Sequence, residues 1–77
     1  MQKKLSELEP GEKGTIIKVQ GSGALRRRLL DMGLIKGTEI EMVRKSPLGD
    51  PLKFLVKGYN LSLRKTECES VYVEVKP

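Results

Sequence analysis

The stretch from Arg26 to Pro51 constrains the fold more than any other part of this chain. It reads Arg-Arg-Arg-Leu-Leu-Asp-Met-Gly-Leu-Ile-Lys-Gly-Thr-Glu-Ile-Glu-Met-Val-Arg-Lys-Ser-Pro-Leu-Gly-Asp-Pro. Apolar residues at helical spacing run up to Met32, and Gly33 stands where a helix stop needs a left-handed residue. Gly37 permits a turn. From Thr38 to Arg44 the period changes to two, with Ile40 and Met42 on one face and Glu39 and Glu41 on the other. The Ser46–Pro51 loop follows, stiffened by a proline near each end. A helix end, a strand and a rigid loop in one third of the chain leave room only for short elements.

The remainder follows the same grammar. Ile16 to Val19 is rich in β-branched residues. Leu52, Phe54 and Val56 alternate inward, as do Tyr59, Leu61 and Leu63, and then Val71, Val73 and Val75. Lys57-Gly58-Tyr59-Asn60 links two strands. Glycine at the first central position of that turn predicts a type II′ hairpin. The one departure from strand patterning is Ser22 to Met32. Ser22 is an expected N-cap, and Leu25, Leu29 and Met32 line one helical face. A second helical turn is expected within Lys65 to Glu69, and Leu5 and Leu8 are expected to anchor a turn near the start. The sum is a mainly β fold in a single domain, residues 1–77. It has five strands and one α-helix inserted between the first two. Closure of such a sheet into a small barrel would remove its exposed edges.

Seventy-seven residues can bury only a modest core. No disulfide can staple it, because Cys68 is the only cysteine. An unpaired thiol fits a reducing compartment. Met1 to Glu12 alternates charged and apolar residues, unlike a secretory leader. No apolar run approaches the roughly 20 residues that span a bilayer. A cytoplasmic protein without direct membrane insertion is the expectation. The formal net charge is +5, and a pI near 9.6 raises the alternative of a small basic barrel that binds nucleic acid. The positive residues are spread along the chain rather than massed in a block, which argues against that alternative.

Catalysis is not expected. The chain has no histidine, the commonest general base. Cys68 lies between Glu67 and Glu69, whose charges disfavour a thiolate. A metal centre is not expected either, since histidine and cysteine together amount to one residue. Glu39 and Glu41 share a strand face and read as solvated. Gly21-Ser22-Gly23 opens a helix but lacks the third glycine of a dinucleotide fingerprint and the Gly-Lys-Ser/Thr ending of a P-loop. No cofactor is expected.

Two features remain as contact candidates. Arg26, Arg27 and Arg28 point about 100° apart on a helix, so they cannot share one face. Asp31 is placed to pair with Arg27 or Arg28. Against a solvated face with one internal salt bridge, the functional reading is a docking patch for an acidic partner or a phosphate backbone, with Arg26 and Arg27 as its contact residues. The Ser46–Pro51 loop is the other candidate, with Pro47 holding Leu48 at its tip. Leu55, on the outward face of its strand, adds apolar surface. The contact set is therefore Arg26, Arg27, Pro47, Leu48 and Leu55, with no catalytic, cofactor or metal residue.

Several of these pieces occur in one order that resembles the FeoA family. They are Leu5-Ser6-Glu7-Leu8, Pro10-Gly11-Glu12, Arg28 to Leu34, Lys36-Gly37, Ser46 to Pro51 and Gly58 to Arg64. The family usually shows alanine where Ser46 stands. The resemblance implies an SH3-like domain in the cytoplasm. It implies a role as a non-catalytic accessory of bacterial ferrous iron uptake. It also implies contact with the cytoplasmic G-protein region of the membrane transporter FeoB.

Overall fold

The computed structural model describes residues 1–76. Its strands are β1 (Gln2–Lys4), β2 (Lys13–Val19), β3 (Glu39–Lys45), β4 (Leu52–Val56), β5 (Tyr59–Leu63) and β6 (Val71–Glu74). Helix α1 (Gly23–Asp31) lies between β2 and β3, and the short α2 (Lys65–Cys68) lies between β5 and β6. Leu5–Glu7 forms a 3-10 turn after β1. The six strands make one antiparallel sheet in the order β1-β6-β2-β3-β4-β5.

The mainly β architecture with a helix between two strands is the expected one. The first strand is additional. Gln2-Lys3-Lys4 carries no apolar alternation, and what holds it is pairing with Tyr72, Val73 and Glu74 of β6. The chain terminus adds to this hold. The Met1 ammonium pairs with the Glu74 carboxylate and donates to the Val75 carbonyl.

The sheet curls but does not close. β1 and β5 remain edges, with no ladder between them. After Leu63 the chain turns into α2, which packs against the 3-10 turn that follows β1. β1 is short and carries two lysines, devices that discourage edge pairing.

The alternating residues land where the pattern sends them. Ile40, Met42, Leu52, Phe54, Val56, Leu63, Val71 and Val73 are buried, with Leu5, Leu8, Ile16, Leu29 and Leu34. Each such side chain contributes roughly 1.5–3 kcal/mol by leaving water. Tyr59 is an exception. It is 43% exposed, and its hydroxyl donates to the Met32 carbonyl at the end of α1. The expected inward tyrosine is instead a clasp between β5 and the helix.

The β4–β5 hairpin also differs from expectation. Val56 pairs with Tyr59, so Lys57 and Gly58 are the two central residues. Both have positive φ, +50° and +84°. That is a type I′ turn rather than II′. Two left-handed residues match the right-handed strand twist, and glycine at the second position lowers the strain.

Ser22 caps α1, its Oγ accepting from the Leu25 N–H at 3.3 Å. Gly33 ends the helix with φ +94°. A Cβ there would also lie 3.1 Å from the Tyr59 hydroxyl, so both conformation and space favour glycine.

Candidate contact surface

Helix α1 presents Arg26, Arg27 and Arg28 on different sides, as helical geometry requires. Arg26 Nε donates to the Val19 carbonyl at 3.2 Å and is thereby tied to the end of β2. Arg27 is exposed. It lines a shallow depression with Gly23, Ala24, Asp31 and Met32. Arg28 does not pair with Asp31. Its guanidinium lies 2.8 Å from Glu67 Oε2 on α2. Tertiary packing brings a buried carboxylate within reach, and a partner shielded from water outcompetes an exposed one on the same helix.

Glu67 is only 6% exposed. Its Oε1 accepts from the Arg64 N–H at 2.8 Å, capping the start of α2, while Oε2 takes Arg28. Cys68 beside it is buried. Burial pushes its thiol up to about 12, helped by the charges of Glu67, Asp50 and Glu69. This is a packing residue and not a nucleophile.

The Ser46–Pro51 loop is held from inside and outside. The Gly49 N–H donates to the Ser46 carbonyl at 2.8 Å, and the Ser46 N–H donates to the Pro51 carbonyl at 3.2 Å. The Asp50 carboxylate accepts from the Lys65 N–H at 2.9 Å, which fastens the loop to α2. Leu48 stands at the tip of this braced loop, 94% exposed, with Pro47 exposed beside it. Leu55 is 37% exposed on the outer sheet face, opposite Glu41 and Asn60.

The five sequence-derived contact residues therefore do not form one patch. Leu48 and Pro47 sit at one end of β4, Leu55 near its other end, and Arg26 and Arg27 on the helix. Among the described residues no group of three or more His, Cys, Asp or Glu gathers to hold a metal ion. Sequence reasoning missed Arg44 and Lys53, which face each other across β3 and β4 on the outer surface. The signal lay in the hairpin register, and a bulge after Met42 hides it. The bulge adds one residue on β3 and brings Arg44, rather than Val43, opposite Lys53.

The arrangement defines a class: a small, open β-sheet domain whose outward features are a braced loop, a helix face and a charged sheet surface. The family follows from comparison. The FeoA domain model matches residues 3–75, and the chain belongs to the FeoA family. A Porphyromonas gingivalis (strain ATCC BAA-308 / W83) fusion of Fe(2+) transport protein A with Fe(2+) transporter FeoB is 39% identical over 72 residues. That match covers 94% of this chain but only 8% of the fusion protein. The NMR structure of a FeoA-like protein from Clostridium acetobutylicum superposes with a TM-score of 0.90 at 39% identity. The match covers 99% of this chain and 88% of that one. FeoA of Stenotrophomonas maltophilia, solved with zinc, gives 0.80 at 36% identity over 96% of this chain and 89% of its own. That protein is described as a prokaryotic SH3 domain protein and a candidate activating factor for ferrous iron transport. The fold is accordingly SH3-like, and the family is associated with ferrous iron transport.

Proposed function

We propose that this chain is a non-catalytic accessory domain of ferrous iron uptake, acting in the cytoplasm by contact with the FeoB transporter. The observation that carries this reading is the Porphyromonas gingivalis fusion, in which a relative of this chain and FeoB share one polypeptide. Covalent linkage keeps two modules at high effective concentration, which is useful when they bind each other. The contact falls on the G-protein region of FeoB in this proposal. The braced loop with Leu48 and the arginine-bearing face of α1 are its candidate elements. An inert, buried Cys68 thiol supports a role without covalent chemistry.

Calorimetric titration against the cytoplasmic G-protein region of FeoB tests the proposal. Saturable binding in the GDP or the GTP-analogue state is expected. Absence of heat in both states would overturn the assignment of that region.

A further inference from the structure

The outer face of β3–β5 is electrically divided. At the hairpin end, Glu39 and Glu41 lie among Lys13 and Lys57 around one shallow groove, so opposite charges are interleaved. At the loop end Asp50 lies beside Arg64 and Lys45 pairs with Glu9, but Arg44 and Lys53 have no carboxylate partner among the described residues. Arg44 faces Lys53 directly across the ladder, and Lys53 faces Ser62. Arg64 follows two residues after Ser62, just past the end of β5, where it lines a depression with Asp50 and Pro51 at the same end of the sheet. None of these three cations forms an ion pair among the described residues.

Like charges directly opposite one another weaken a sheet. Adjacent strands are about 4.8 Å apart, so Arg44 and Lys53 are direct neighbours, and Arg64, two residues beyond the partner of Lys53, is offset toward the loop, which spreads this row of three cations over roughly 12 Å of sheet. Carboxylates at alternate positions of an extended chain, or one turn apart on a helix, match that spacing. Leu48 stands on the loop joining β3 to β4, at the rim of the row, and is held there by Ser46, Asp50 and α2. A braced apolar tip loses little entropy on docking.

We propose that Arg44, Lys53 and Arg64, with Leu48 at their rim, dock an acidic segment of a protein partner. Its carboxylates meet the three cations, and an apolar side chain covers Leu48. The surface deepens the accessory reading above, and takes from it only the identity of the partner. Single-stranded nucleic acid fits this face less well, because no aromatic ring is available on it for stacking, and a duplex is left as an outcome of the test. Phe54 is buried, Tyr59 is bonded to α1, and Tyr72 lies on β6.

The test is an NMR titration of the full chain with two probes, a synthetic Glu-rich peptide containing one leucine and a short DNA duplex. Peptide-induced shifts at Arg44, Lys53, Arg64 and Leu48 are expected. Lys53→Glu replaces a like-charge pair by an opposite-charge pair, so its Tm should hold or rise. It should nevertheless weaken peptide binding roughly tenfold or more. Shifts confined to Arg26 and Arg27, no shifts, or binding indifferent to Lys53→Glu would overturn the proposal. So would preferential binding of the duplex. The same variant against the FeoB cytoplasmic region separates the two readings. Undiminished binding would overturn this surface and leave the transporter contact standing. Loss of wild-type FeoB binding with the peptide map intact would overturn only the partner.

Discussion

Arg28 on α1 and Glu67 on α2 meet at 2.8 Å, and through them the two helices are joined although 39 residues separate the pair in sequence. The guanidinium is largely exposed while the carboxylate is nearly sealed. The pair is therefore asymmetric. Losing Arg28 strands a buried charge, whereas losing Glu67 removes both the bridge and the cap on α2.

Arg28→Ala should lower stability by about 1–2 kcal/mol, and Glu67→Ala by about 2–3 kcal/mol, in urea unfolding. The double variant should fall short of the sum, with a coupling of at least about 0.5 kcal/mol. Strict additivity would show that the contact contributes nothing.

Leu48→Asp should leave the fold intact, within about 0.5 kcal/mol of the parent, because the side chain contacts almost nothing. Binding to the transporter's cytoplasmic region should fall. Unchanged affinity in the folded variant would remove the loop tip from the contact surface.

The Ser46 hydroxyl is buried and has no hydrogen-bond partner among the described residues. Ser46→Ala should therefore raise stability by up to about 1 kcal/mol, since an unpaired buried hydroxyl is a net penalty. A drop in Tm would point to an unseen partner for Oγ.

Glu12 accepts a hydrogen bond from the Glu9 N–H at 2.7 Å and another from Lys3 Nζ at 3.1 Å. These hold its carboxyl below the ordinary carboxylate value of 4.5, the backbone bond contributing most. A depressed folded-state pKa gives stability that is present above the unfolded value and lost as pH falls through the folded one. Acid titration of stability below pH 4.5 should be shallower in Glu12→Gln than in the parent. Identical slopes would exclude Glu12 as a contributor.

With its thiol pushed up to about 12, Cys68 should resist a thiol-specific reagent at mildly alkaline pH in the native state. It should react promptly once denaturant unfolds the chain. Fast native labelling would contradict its burial.

Much of the core is legible residue by residue. Leu52, Phe54 and Val56 alternate with Lys53 and Leu55, and Val71 and Val73 flank Tyr72, so period-two patterning identifies their buried faces. Ser22 and Gly33 bracket α1 because capping and helix termination depend on neighbours close in sequence. β1 is not legible in the same way. Gln2-Lys3-Lys4 has no strand pattern, and only the exposed edge of β6, 68 to 72 residues away, makes it a strand.

The contact surface divides along the same line. The outward positions of Leu48 and Leu55 follow from loop chemistry and strand alternation, which are short-range properties. The partner of Arg28, the outward turn of Tyr59 to Met32 and the opposition of Arg44 and Lys53 do not. Each depends on which distant segment arrives alongside, and on a bulge that shifts the register by one residue. Local rules specify which way a side chain points. The packed sheet specifies what it meets there, because electrostatic and hydrogen-bond partners are chosen by proximity in space.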